Sequence, residues 1–458
     1  MPVRDRVVAA ATLLLLNIFT VSAGGAVVKL TPQRELKPTA ASVAVHALIQ
    51  PSQSGVPAAG STGPVPGTAL DSRLSGLVKP YINAVVLDGT SRRVLYDQRG
   101  EQGATPASTT KLVTSTAALA TLGPDYRLTT KVVSSGTGSI TLVGGGDPTL
   151  ASLSAAKIAA TYPAPASLAD LARQTGAALK GQGKVKVDYD ASLYSGPQLA
   201  PGWKDAYIGG DVAPITGLTI DEGMVHPGGS SEGAARVADP AGTALKAFVK
   251  LLRRYGVDAT AGSSTTAPQT ATQLAAVRSA PLSALVEHLL TVSDNDLAEA
   301  LARQVAIKRG LAGSFAGAAQ GVHDTLTQLG LVSGIQTYDG SGLSRMNTIT
   351  PLALARLVSV AAAGTHPELR AVITGMPIAG FSGTLARRYS GGATQAGAGV
   401  VRAKTGTLDG VNTLAGLAYD ADGRLLTFAF MANHVSDPSA ALSALDRLAT
   451  TVAGCGCA

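Results

Sequence analysis

A chain of 458 residues has length for about three domains and ample material for buried cores. Hydrophobic residues make up 45% of it and charged residues 15%, which excludes a disordered or fibrous chain and fits a soluble globular protein. The formal net charge of +7 is mild and comes without a dense Lys/Arg run or interleaved aromatics, so no nucleic-acid groove is expected.

Arg4 and Arg6 precede an apolar run from Val7 to Val28, the layout of an export signal. Val21-Ser22-Ala23 offers a small-residue cleavage site, while the run is almost long enough for a membrane span. Residues 1–28 therefore read as a signal peptide or a membrane anchor, and the rest of the chain as exported. Residues 29–69 are rich in Pro, Ala, Ser, Gly and Thr without periodicity, which predicts a flexible linker.

The apolar stretches Asn83–Leu87 and Arg93–Tyr96 flank Asp88-Gly89 and predict a β-hairpin. A helix is expected from Ser108 to a glycine stop at Gly123. Short strands follow at Leu128–Val133 and Ser139–Val143, with Gly-rich turns such as Gly144 to Pro148 between elements. Helices are expected at Ser167–Leu179 and Ala241–Tyr255. Residues 123–275 thus read as an inserted α+β accessory region.

From Pro281 a helical stretch runs through Ala302, and further helices are expected at Gly317–Leu329, Pro351–Ala363 and Pro367–Gly375. Strands return at Val401–Lys404, Thr413–Tyr419 and Leu425–Ala432, and a last helix covers Pro438–Val452. The fold class expected is α/β: a mixed sheet packed between helices, built from residues 70–122 and 276–453 with the accessory region inserted between them. Residues 454–458 form a tail. Its Cys455 and Cys457 could pair in an oxidising compartment, but i, i+2 is a tight spacing for a disulfide, and the preferred reading gives them no structural duty. The histidines His46, His226, His288, His323, His366 and His434 lack metal-ligand spacing, so neither a metal nor another cofactor is expected.

Three short motifs carry the chemistry. In Ser108-Thr109-Thr110-Lys111 a helix would put Ser108 and Lys111 on one face, and a desolvated lysine can take the serine's proton. In Ser293-Asp294-Asn295, Ser293 can relay a proton and Asn295 can hold Lys111; the same residues also suit a helix N-cap. In Lys404-Thr405-Gly406-Thr407 an edge strand would present an ammonium and a hydroxyl to a carboxylate, with Gly406 allowing close backbone approach. The N–H groups of Ser108 and Thr407 can make an oxyanion hole. Each motif alone also reads as an ordinary cap or polar turn. Ser-x-x-Lys, Ser-x-Asn and Lys-Thr-Gly in that order form the signature of active-serine penicillin-recognising enzymes.

Further strings match a narrower group: Leu122 to Arg127, Gly144 to Leu150, Tyr338 to Arg345, and Gly383-Thr384-Leu385. With them the chain resembles the D-alanyl-D-alanine carboxypeptidase/endopeptidase family, the class C low-molecular-mass penicillin-binding proteins, over roughly Leu70 to Thr450. The resemblance implies a penicillin-binding, serine β-lactamase-like transpeptidase fold, with accessory domains in the 185 positions from Ser108 to Ser293. It implies acylation of Ser108 by peptidoglycan stem peptides ending in D-Ala-D-Ala, with Lys111 as base, Ser293 and Asn295 as relay and orienting pair, and Lys404, Thr405, Gly406 and Thr407 binding substrate. It further implies inhibition by β-lactams, an extracytoplasmic location at the cell wall, and no cofactor.

Two other readings compete. A class A serine β-lactamase needs Glu-x-x-x-Asn between the second and third motifs, but Glu299 and Glu368 are followed four positions later by Arg303 and Val372. A non-catalytic wall-binding or scaffolding protein would keep the fold, yet here every core motif position is intact.

Overall fold

The computed structural model describes residues 67–228 and 233–456. The expected signal or anchor, nearly all of the linker, and Cys457 lie outside the described residues. Helix α1 (Gly67–Leu74) and the hairpin β1 (Ile82–Asp88) and β2 (Val94–Gln98) lead into α2 (Thr110–Leu122). The middle of the chain holds β3 (Thr129–Gly136), β4 (Ser139–Val143), α3 (Leu168–Ala178) and β5 (Val185–Asp190), then α4 (Pro240–Arg254), β6 (Ala259–Ser264) and β7 (Gln273–Arg278). Helices α5 (Leu282–Val292), α6 (Asn295–Lys308), α7 (Phe315–Gln328) and α8 (Pro351–Ala362) follow. Strands β8 (Arg402–Leu408), β9 (Val411–Tyr419) and β10 (Leu425–Asn433) and helix α9 (Pro438–Ala453) complete it.

Local chemistry sets many of these bounds. Gly123 stops α2 at a φ of 85°, a conformation that side chains resist. Ser167, Asp239, Thr350 and Asp437 each cap a helix by accepting a backbone N–H, and in the last three the next residue is a proline whose missing N–H costs nothing there.

Ten strands form two five-stranded sheets. The first has the order β8-β9-β10-β1-β2, antiparallel throughout, so the start and end of the chain meet in one sheet. Its central strands are buried on both faces. Val85, Leu87, Ala415 and Met431 face a core shared with α2, α5, α6 and α8; Ala84, Val86, Phe428 and Phe430 face one shared with α1 and α9. Period-two alternation therefore separates two cores rather than core from solvent. Cys455 corrects one expectation: just past α9 it is fully buried in the second core, and its carbonyl accepts from Ala421 N at 3.0 Å. A sulfur side chain is apolar enough to pack there.

The second sheet has the order β6-β5-β4-β3-β7, with β4, β5 and β6 parallel and β3 antiparallel to both its neighbours. Helices α3 and α4 cover it through Leu168, Leu171, Phe248 and Leu252, giving the segment its own core. Its last strand runs to Arg278, three residues beyond the expected 275. Between β5 and α4 the chain makes an excursion, residues 191–239, whose described residues form short 3₁₀ turns and isolated bridges but no helix or strand of the two sheets. Irregular stretches of that length in compact proteins generally serve a site. This one crosses to the first sheet's helices.

Candidate active site

Ser108 sits in a 3₁₀ turn, Ala107–Thr109, that feeds directly into α2. Ala107 has a φ of 47°, a strained conformation worth roughly 1–3 kcal/mol for a non-glycine residue. Packing holds it there: a Cβ on Gly342 would stand 2.0 Å from the Ala107 carbonyl oxygen. Lys111, in the first turn of α2, is fully buried. Its Nζ donates to Ser108 Oγ at 2.9 Å, to Asn295 Oδ1 at 2.6 Å and to the Ser341 carbonyl at 2.7 Å. Burial brings its pKa down to about 8, against the opposing pull of Asp339, Asp294 and Glu299. A useful fraction of the amine is therefore neutral near neutrality.

The second motif lies at a helix break. Helix α5 ends as Ser293 takes a left-handed φ of 64°, and Asp294 caps α6 by accepting from Leu297 N at 3.0 Å. Asn295 opens α6, and its Nδ2 donates to the Asp211 carbonyl at 2.9 Å, which turns the amide oxygen toward Lys111. The cap and the lysine partner are thus adjacent residues.

The third motif lies on β8, the edge strand of the first sheet. Lys404 is fully buried; its Nζ donates to Ser293 Oγ and to the Thr405 carbonyl, both at 2.9 Å. Thr405 Oγ1 pairs with Thr384 Oγ1 at 2.7 Å. Gly406 lies opposite Thr413, and a Cβ there would come within 2.2 Å of Thr413 Oγ1, 2.8 Å of the Pro106 carbonyl and 3.0 Å of Ser108 N. The strand backbone and the Ser108 turn are thus in direct contact. Ser108, Ser293, Asn295, Thr405 and Thr407 line one cavity of about 560 Å³.

Several supporting residues were not singled out from sequence. Asp339 accepts from Trp203 Nε1 (2.7 Å), Ser344 N (2.7 Å), Gly342 N (3.0 Å) and Asn347 Nδ2 (2.6 Å), which fixes the loop whose Ser341 carbonyl holds Lys111. Glu299 Oε1 accepts from Gly340 N and Ser341 N of the same loop, and Oε2 pairs with Arg303 in a buried contact. Burial, then the nearby Asp339 charge, pushes the Glu299 pKa up to about 7. The string Tyr338 to Arg345 gave the signal for this loop. Nothing in the sequence linked it to Trp203.

The excursion also supplies Tyr207, Asp211 and Arg236 to the cavity wall. Arg236 Nε donates to Asp296 Oδ2 at 3.2 Å, and Ala213 N to Asp296 Oδ1 at 2.9 Å. Glu222, in a turn where Asp221, Glu222 and Gly223 all have left-handed φ values, reaches His288 on α5 at 3.2 Å. His288 Nε2 lies 3.8 Å from Asp294 Oδ2. Burial and next the Glu222 charge raise the Asp294 pKa to about 7. Burial opposes a charge on His288, but Glu222 and Asp294 outweigh it and raise its pKa.

Comparison with known proteins gives the family and the fold. The chain is 37% identical over 406 residues to Carboxypeptidase Rv3627c of Mycobacterium tuberculosis, covering 87% of this chain and 85% of that one. It is 40% identical over 399 residues to Carboxypeptidase DacB of Mycolicibacterium smegmatis, covering 85% and 84%. The crystal structure of penicillin binding protein 4 (dacB) from Haemophilus influenzae shares the fold at a TM-score of 0.68 and 21% identity, over 84% of this chain and 99% of that one. The family described as D-Ala-D-Ala carboxypeptidase 3 (S13) matches residues 68–235 and 226–452. The chain belongs to the D-Ala-D-Ala carboxypeptidase 3 (S13) family of peptidases.

Proposed function

We propose that the protein is a serine D-alanyl-D-alanine carboxypeptidase that acylates itself at Ser108. The observation that carries this reading is the buried Lys111 amine 2.9 Å from Ser108 Oγ, with its other hydrogen bonds fixed by Asn295 and Ser341. Neutral Lys111 takes the Ser108 proton as Oγ attacks the carbonyl of the penultimate D-Ala of a peptidoglycan stem peptide. The N–H groups of Ser108 and Thr407 receive the oxyanion, each such donor being worth about 3 kcal/mol. Ser293 passes the proton to the departing D-Ala amine, and water then hydrolyses the ester. Lys404, Thr405 and the Gly406 backbone hold the substrate's terminal carboxylate.

Endopeptidase action on a D-Ala cross-link follows the same steps with a longer leaving group. β-Lactams present a similar acyl donor and carboxylate, and so act as inhibitors. Among the described residues no helix is long and apolar enough to cross a membrane. An extracytoplasmic location, with residues 1–28 as cleaved signal or anchor, accords with a wall substrate. We assign residues 123–275 to an accessory region that helps wall the site.

The β-lactamase reading finds no support in the site. Glu299 is committed to Gly340 N, Ser341 N and Arg303, and Glu368 pairs with His366. Neither carboxylate is placed to activate a deacylating water, so a penicillin adduct should persist.

The test is incubation with a fluorescent penicillin followed by intact-mass measurement, beside Ser108→Ala. A one-to-one adduct that vanishes in the folded mutant supports the assignment. An adduct retained by Ser108→Ala sinks it, and no adduct in either protein points to the wall-binding reading.

A further inference from the structure

Glu222, His288 and Asp294 each offer one ligand-type atom, and the three atoms lie within 4.8 Å of one another. We propose that these three side chains bind one divalent transition ion of the zinc class, clasping the excursion to the second motif. An ion held tetrahedrally at about 2.0–2.1 Å from each ligand needs ligand separations of roughly 3.4 Å. The separations from His288 Nε2, 3.2 Å to Glu222 and 3.8 Å to Asp294, lie on either side of that value. An imidazole among the donors favours zinc-class ions over magnesium or calcium.

Asp294 supplies an independent observation. Its side chain is fully buried, Oδ1 caps α6, and Oδ2 points at His288 with no hydrogen-bond partner among the described residues. Buried carboxylate oxygens ordinarily find a donor or a cation. Charge leads the same way. With His288 neutral, as a metal ligand must be, and Glu222, Asp294 and Asp296 all ionised beside the one guanidinium of Arg236, three minus one leaves two negative charges, which one dication cancels. Protons on the carboxyl groups are the competing means of neutralisation.

Access is available as well. The His288 and Glu222 side chains are 20% and 11% exposed and line a second cavity of about 650 Å³, which adjoins that of Ser108 at Val292 and Thr384. A fourth, open coordination position would face that cavity. The ion would tie the strained turn at residues 221–223 to the residue between Ser293 and Asn295, and so steady both motif side chains.

The test is a cobalt(II) and zinc(II) titration of chelator-treated, untagged full-length protein, followed by visible absorption and bound-metal analysis. The expected result is one equivalent bound, with a d–d band, and affinity at least about tenfold weaker in both Glu222→Gln and His288→Ala. These variants separate this site from adventitious binding elsewhere on the protein. Failure of the wild-type protein to take up an ion saturably, or undiminished uptake in both variants, overturns the proposal. Only the first of those outcomes fits proton neutralisation. Neither bears on acylation at Ser108.

Discussion

Lys404 Nζ lies 2.9 Å from Ser293 Oγ, joining the third motif to the second across 111 positions of sequence. In the proposed mechanism this one ammonium supports the relay hydroxyl and receives the substrate carboxylate. Lys404→Ala is expected to lower the rate of β-lactam acylation by 10- to 100-fold, the loss of a charged hydrogen bond of about 1.5–3 kcal/mol. The melting temperature should move little by comparison. A large melting drop with near-normal acylation would reassign Lys404 to a structural part.

The pH profile follows from Lys111. Its pKa is lowered to about 8, and only the neutral amine accepts a proton from Ser108. Acylation by a neutral-ring β-lactam should rise about tenfold per pH unit well below pH 8 and level off above it. Stopped-flow or quenched labelling between pH 6 and 9.5 checks this. A profile that is flat through pH 8 would remove Lys111 as the base.

Gly406→Ala offers a steric test. The new Cβ meets Thr413 Oγ1 at 2.2 Å, the Pro106 carbonyl at 2.8 Å and Ser108 N at 3.0 Å, two of them backbone groups. Either β8 or the Ser108 turn must shift, and misplacement of about 1 Å can cost roughly 100-fold in rate. Acylation should fall by that order while the protein still melts cooperatively. Near-wild-type labelling would show that the strand and the turn move freely.

Asp339→Asn probes the loop behind Lys111. The carboxylate accepts from five donors on two sides, and an amide turns one side into a donor facing donors. A stability loss of about 1–3 kcal/mol is expected, together with slower acylation because the Ser341 carbonyl loses its fixed place. Trp203→Phe removes a single donor and should show a smaller change in the same two measurements. If Trp203→Phe proves the more damaging, the indole packs something other than this loop.

The motifs and most helices could be read from sequence because their information is local. A cap followed by proline marks α8 and α9, a glycine ends α2, and Ser108 and Lys111 are one turn apart. Strand β6 was missed because Ala-Thr-Ala-Gly-Ser-Ser has little strand character; parallel pairing with β5 makes it a strand. The 191–239 excursion hid its role for a similar reason. Its contacts to Asn295, Asp296 and Asp339 are long-range, and no periodicity announces them. Cys455 looked idle because sequence does not show that the chain folds back onto β9 and β10 after α9.

The excursion makes the accessory segment hard to amputate. A shortened protein that joined α2 directly to α5 would strip Asp296 of its guanidinium, Asn295 of the Asp211 carbonyl and Asp339 of its indole donor. A minimal version would therefore need replacements for all three before it could be expected to turn over. Residues between the first and second motifs are thus less a passenger than a wall of the same room.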